Sequence, residues 1–397
     1  RDVTSEVSLD RWDTDGIAAE LDNIGRDVVD KIRYGGFLSD HVLNSFDHAL
    51  FGISKPEAMR MDPAQRLLLT VSYEALLDAG HTKETMKGKR IGVFVGASGN
   101  TSEATPLTIH NNLEKIHGKP MVSVYDATGI SLSVAAGRIS FALELQGPCW
   151  AVDTACSSAL VALHNARRSL QLGECDEAVV VSEGILSSSF AVTLAVAGMT
   201  SPDGKCHTFD EKANGYCRSE GCGAIVLKRM EICTSPVHSV YAIIRGSAVL
   251  QDGKSASLTA PNGLAQERLL AAALSDAGIN ANDVHFIEAH GTGTKLGDPV
   301  EVAAIAAVFG AGRSSTSPLY ISGVKGNMGH LEAAAGMAGI FSAVLALQHR
   351  IVSPNAKLKA LNPALSIYVR ENKLSFPTSV QDLSAKSEQL ICGLSSF

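Results

Sequence analysis

The chain has 397 residues, a formal net charge of −7, 45% hydrophobic and 19% charged residues, an ordinary globular mixture that can bury a large core. Its length suggests two or three domain-sized units, or one large domain in two halves. No long basic run argues for nucleic acid, no apolar run reaches the roughly 20 residues of a spanning helix, and the polar opening RDVTSEVSLDRWD is unlike a signal peptide.

Residues 1–60 read as loop-rich with short helices. Asp62-Pro63 opens a helix, Asp as N-cap and Pro as first residue, whose apolar residues keep helical spacing to Gly80. Arg90–Gly96 is a dense β-branched run, expected as a buried strand. Residues 97–125 are polar and irregular and read as a loop region or cover. CWAVDTACSSALVALHNARRSL predicts a short strand, a sharp turn at Cys156 and a helix. Strands VVVSEG and CGAIVLKR bracket a loop over 198–220. A midline is expected near 229–240. SVYAIIRGSAVLQD and the helix AQERLLAAALSDAG then precede VHFIEAHGTGTKLGDPVEVAAIAAVFG, a strand, a Gly-rich turn after His290 and a helix capped by Asp298-Pro299. YISGVKGNMGHLEAAAGMAGIFSAVLALQHR supplies a further strand, turn and helix. Buried strands alternating with helices argue α/β, and two comparable halves suggest an internal duplication.

The eight cysteines, at 149, 156, 175, 206, 217, 222, 233 and 392, form no CxxC pairs and have no matching His spacing. A disulfide framework and a metal site are both poorly supported. Most read as small core residues in a reducing compartment.

Cys156 stands apart. At the start of a helix its thiol meets the positive end of the helix dipole, so its pKa is expected to be lowered. Backbone N–H groups of the turn are placed as an oxyanion site requires. A buried structural thiol is the alternative. His290 ends a strand before GTGT, whose glycines let backbone approach a ligand closely, and Thr292 and Thr294 offer hydroxyls. His330 closes the turn VKGNMGH, with Lys325 five positions earlier. Singly, a strand-end His, a capping His and a solvated Lys are the plain readings. Together, one Cys and two His at strand-to-helix turns belong at the carboxyl edge of a sheet, where ligands bind. Two imidazole donors could hold a thioester carbonyl while enolate charge grows, each worth on the order of 3 kcal/mol. That suits carbon–carbon bond formation better than hydrolysis.

On VDTACSSALVAL, EAHGTGTKLGDPVE, GVKGNMGHLEAAAGMAGI and GLSSF, in this order, the chain resembles the β-ketoacyl synthase family over essentially its whole length, most closely ketosynthase domains of modular polyketide synthases. The resemblance implies a thiolase-like, duplicated, five-layered α/β/α/β/α sandwich, usually a homodimer. Residues 1–230 would carry the nucleophile and 231–397 the two histidines. It implies that Cys156 takes an acyl chain from the phosphopantetheine arm of an acyl carrier protein. His290 and His330 then promote decarboxylation of a malonyl-type extender on a second carrier. Lys325 would support the histidines electrostatically, Glu332 would be the acidic partner in that network, and Thr292 and Thr294 would bond the pantetheine arm. No cofactor or metal of the chain's own is implied. Other synthase domains are possible partners, and a cytoplasmic location is expected.

The family usually begins with a strand like IAIVGMACRFPG and continues past GLSSF into GFGGTNAH. The chain is therefore expected to be a trimmed domain. The alternative reading is a non-elongating or scaffolding ketosynthase-like subunit, inactive because of truncation.

Overall fold

The computed structural model describes residues 3–20, 25–98, 123–232, 240–371, 373–384 and 387–397. Most of the expected cover at 97–125 and the centre of the expected midline lie outside the described residues.

Helix α1, Pro63–Asp78, forms where the sequence places it. The Asp62 carboxylate accepts from the Ala64 amide at 2.7 Å and Pro63 takes the first turn. Its Leu68, Leu69 and Leu76 are buried against the adjoining sheet. Strand β3, Ile91–Gly96, is buried at all six positions, as its unbroken apolar run requires of a central parallel strand.

Around β3 lie β4, Cys149–Val152, and β5, Glu177–Gly184, both parallel to it, with antiparallel β6, Gly221–Lys228, beyond β5. The order is β4-β3-β5-β6. A second sheet contains β7, Phe286–Glu288, β8, Leu319–Ser322, β9, Leu374–Ser375, and β10, Cys392–Leu394. All its pairings are parallel, in the order β9-β8-β7-β10.

Five layers result. α1 and α2, Leu132–Ala142, cover one face of the first sheet, where they share a core with Val93, Val95, Val179 and Val181. Between the sheets run α3, Ser158–Gln171, and α4, Ala335–His349. Their Ala162, Ala166, Met337 and Ile340 pack with Phe94 and Val180 from the opposite face of the same strands. On the far side, α5, Gly263–Ala277, and α6, Gly297–Phe309, bury Leu270, Val302 and Ile305 against Ile287, Leu319 and Ile321. This is the α/β/α/β/α order expected of a thiolase-like fold. Small residues along α3 and α4 let two helices fit between two sheets.

The apolar run at 240–250 forms no strand, and Val240, Tyr241, Ile243 and Val249 are exposed. One reading changes. Asp298 does not cap α6. The helix starts at Gly297 after Leu296, and the Thr294 hydroxyl accepts from the Gly297 amide at 3.1 Å. The Asp298 carboxylate turns inward instead, for a reason the site makes plain.

Candidate functional site

Three loops leave the carboxyl ends of parallel strands and meet between the sheets, where ligands bind in open α/β architectures. Cys156 follows β4, on the single turn Ala155–Ser157 that leads into α3. Ala155 holds φ at +52°, a left-handed conformation that costs a non-glycine residue about 1–2 kcal/mol. Local bonds hold it there. The Asp153 carboxylate accepts from the Ala155 amide at 3.0 Å, and the Ser158 hydroxyl accepts from the Thr154 amide at 2.8 Å and donates to the Ala155 carbonyl at 2.7 Å. Gly96 lets β3 pass under this elbow, since a Cβ there would lie 2.7 Å from the Ser158 carbonyl carbon.

His290 lies two residues past β7. Its amide and that of Gly291 donate to the two carboxylate oxygens of buried Glu301, at 2.7 and 2.9 Å, and Ser395 donates its hydroxyl to the same group at 2.9 Å. Asp298 accepts from the amides of Gly293, at 3.1 Å, and Phe209, at 2.8 Å. Two carboxylates three residues apart on α6 thus hold the HGTGT turn from beneath. Gly293, at φ +78°, is required there because a Cβ would lie 2.6 Å from the His207 nitrogen.

His330 follows β8 through the short helix Lys325–Met328. Its amide donates to the Cys217 carbonyl at 2.7 Å, and its carbonyl accepts from the Ser219 amide at 2.8 Å. Glu288, buried at the end of β7, accepts from the Val324 amide at 2.7 Å and from the hydroxyls of Ser322 and Ser342. It anchors the backbone that leads into Lys325. Lys325 is only 4% exposed, so the plain reading of a solvated lysine is overturned.

The three candidate side chains converge. One ligating atom from each of Cys156, His290 and His330 lies within 4.8 Å of the others. The imidazole rings are 5.6 Å apart and perpendicular. The His330 Nδ1 faces the Glu332 amide at 3.2 Å, and the His290 Nδ1 faces the Phe397 amide at 3.5 Å. A backbone amide can only donate, so the His330 Nδ1 accepts and that neutral ring carries its proton on Nε2, whereas the His290 Nδ1 also has the Ser396 hydroxyl at 3.4 Å. Both rings are held neutral. Burial, then the Lys325 charge, pushes the pKa of each well below the usual histidine value.

This tautomer also tests the cluster as a metal centre. A ligating histidine normally donates its second N–H outward. At His330 the second nitrogen accepts, so metallating Nε2 would require displacing the remaining ring proton. The arrangement suits two N–H donors aimed at an oxygen better than it suits a cation.

Cys156 departs from expectation. Burial pushes its thiol pKa up rather than down, with Lys325 and the turn backbone opposing the rise. The thiol sulfur lies 2.7 Å from the Phe397 main-chain oxygen.

Thr292 and Thr294 sit beside the turn, their hydroxyls 3.3 Å apart. Glu332, at φ +51°, is bidentate to Arg218. Sequence reading missed Glu288, Glu301, Asp298 and Arg218 as organisers of the site. Asp298 and Glu301 did leave a signal, as two acids on one face of an otherwise apolar helix. Arg218 left none, because its partner lies 114 residues away.

Comparison with known proteins converges on one family. The profile of the β-ketoacyl synthase N-terminal domain matches residues 1–232, and that of the C-terminal domain matches 241–359. The chain is 41% identical, over its full length, to a phenolphthiocerol synthesis polyketide synthase type I of Mycobacterium bovis, of which it covers 18%. It is 44% identical over 80% of its length to an erythronolide synthase of Saccharopolyspora erythraea, covering 10% of that protein. It thus spans no more than about a fifth of these relatives. Among solved structures, the ketosynthase from module 6 of the bacillaene synthase of Bacillus subtilis matches with TM-score 0.84 and 32% identity, over all of this chain and 65% of that one. An oxazolomycin ketosynthase domain from Streptomyces albus matches with TM-score 0.85 and 32% identity, over 98% of this chain and 65% of that one.

Proposed function

Because the chain belongs to the β-ketoacyl synthase family, as a ketosynthase domain of the polyketide-synthase type, we propose that it carries out decarboxylative Claisen condensation in polyketide biosynthesis. The observation that carries this reading is the convergence of one thiol and two neutral imidazoles within 4.8 Å.

In the first half-reaction the Cys156 sulfur attacks the thioester carbonyl of an acyl chain on the phosphopantetheine arm of an acyl carrier protein. A new thioester forms, and the pantetheine thiol leaves with the proton that Cys156 gives up. In the second, a malonyl-type thioester from another carrier places its carbonyl oxygen between the Nε2–H groups of His290 and His330. The carboxylate bond breaks, CO2 leaves, and the electron pair becomes an enolate stabilised by the two donors, at about 3 kcal/mol for one such bond. The enolate carbon attacks the Cys156 thioester, forms the new carbon–carbon bond and expels the Cys156 sulfur as thiolate, which takes up one proton from water. Lys325 supports both steps by opposing the rise in the thiol's pKa and by keeping both rings uncharged. Thr292 and Thr294 would bond the amides of the pantetheine arm. The prosthetic group arrives on the carrier, and no resident cofactor is needed.

In this reading residues 1–230 form the half with the nucleophile and 231–397 the half with the histidines. A homodimer is supported by β4, an edge strand with no further partner among the described residues, whose Trp150 is 39% exposed, and by Phe141 of the adjoining α2, 86% exposed. Other synthase domains would act in sequence with this one. A nucleophilic thiol suits a reducing cytoplasm. No described helix is long and apolar enough to cross a membrane.

Intact-protein mass spectrometry after incubation with an acyl-pantetheine thioester tests the proposal, beside Cys156→Ala. Acylation of the wild type alone, followed by ketoacyl product with malonyl carrier, is expected. A folded wild type that takes no acyl group would leave the scaffolding reading.

A further inference from the structure

We infer that Arg218 is a positioning residue for His330, fixing the imidazole through the Glu332 side chain and through its own backbone.

All three guanidinium nitrogens of Arg218 donate. Its Nε and one terminal nitrogen make a fork to both oxygens of Glu332, the second bond at 3.0 Å, while the other terminal nitrogen donates to the Ser187 carbonyl at 3.4 Å. One face lies over the Phe190 ring at 5.2 Å. Arg218 and Glu332 are both buried, so neither charge has bulk water as an alternative partner. Glu332 takes a left-handed backbone conformation, and its amide donates to the His330 Nδ1 at 3.2 Å. The fork to Arg218 therefore holds in place the residue whose amide selects the His330 tautomer.

A second link runs through main chain. Arg218 and His330 face each other across a parallel bridge, formed by the His330 amide on Cys217 and the Ser219 amide on His330. The Arg218 carbonyl accepts from the Gly36 amide at 3.0 Å. The strip is thus tied on its other side to β2, Tyr34–Gly36, which pairs with β1, Thr4–Glu6. Arg218 touches no reacting atom. It acts on the ring that does, at the Nδ1 that faces the Glu332 amide, and its charge adds to the burial that keeps that ring neutral.

The inference rests on the condensing reading above, in which His330 serves the extender step. Arg218→Met combined with Glu332→Gln removes both charges and leaves no buried ion alone. In this variant, CO2 release from a malonyl thioester is expected to fall at least about tenfold further than acylation of Cys156, followed by intact mass, a part of what a whole donor is worth. Arg218→Lys keeps the charge but loses the fork and should fall between, and it carries the measurement if the double variant does not fold. Nitrogen-15 spectra of His330 should show the Nε2–H tautomer in wild type and a mixture in the variants. Folded variants that lose both half-reactions in parallel, or neither, overturn the role, as does an unchanged tautomer. A wild type silent in both half-reactions removes the condensing reading, and the tautomer measurement then decides the Arg218 role alone.

Discussion

At the residue scale, the buried Lys325 ammonium organises the site's protonation. Its charge opposes the burial that pushes the Cys156 thiol up, and it adds to the burial that pushes both histidines down. Lys325→Met should move the pH profile of Cys156 alkylation by iodoacetamide to higher pH, slowing the reaction at pH 8 by roughly tenfold per pKa unit displaced. An unmoved profile would mean that the lysine charge is not felt at the sulfur. The histidines give a second test. Their native pKa values lie well below the unfolded value of 6.5, so the unfolded chain binds protons first as pH falls. Stability from these groups is intact above about 6.5 and is lost as pH drops below it toward their native values. CO2 release should show no histidine limb at 6.5, because both rings remain neutral donors there. Thermal melts and decarboxylation rates from pH 8 to 5 would check both.

At the scale of elements, the site depends on where strands stop and what supports the turns beyond them. Gly96→Ala would press a methyl into the backbone that starts α3, costing typically 1–3 kcal/mol and displacing the Cys156 elbow. A lowered melting temperature with slower acylation is the expected pair of results. Glu301→Gln leaves one of the His290 and Gly291 amides facing a donor instead of an acceptor. The expected cost is about 1–3 kcal/mol, with decarboxylation slowed more than acylation. Most elements were legible because their signals are local: Asp-Pro opens α1, β-branched runs mark β3 and β5, and glycines mark the turns. Local signals failed at α6, where Asp298 looked like a cap. A short acid beside a helix start is equally a receptor for nearby amides, and Phe209, far away in sequence, claims it. The carboxyl of Asp298 is pushed up to about 7 by burial beside Glu301, a consequence no local pattern contains.

At the scale of the whole molecule, two sheets contribute to one centre, Cys156 from the first and His290 and His330 from the second. Chemistry therefore requires both halves docked through α3 and α4. In the proposed homodimer the exposed β4 edge is covered, so Phe141→Glu should shift the solution mass from dimer toward monomer while changing the melting temperature little. Light scattering with chromatography would read the mass. Retention of the dimer would place the interface elsewhere.

The amino-acid sequence alone singled out Cys156, the two histidines, the lysine beside them and the strand–turn–helix setting of each, because turn glycines, apolar runs and chemically active residue types are written within short stretches of chain. It also carried the layered α/β architecture through the alternation of buried strands with helices. Only the tertiary structure decided the direction of the Cys156 pKa, the neutrality of both histidines, the burial of Lys325 and the pairing of Arg218 with Glu332. Those depend on desolvation and on groups that meet across long sequence distances, and neither quantity exists until the chain has packed.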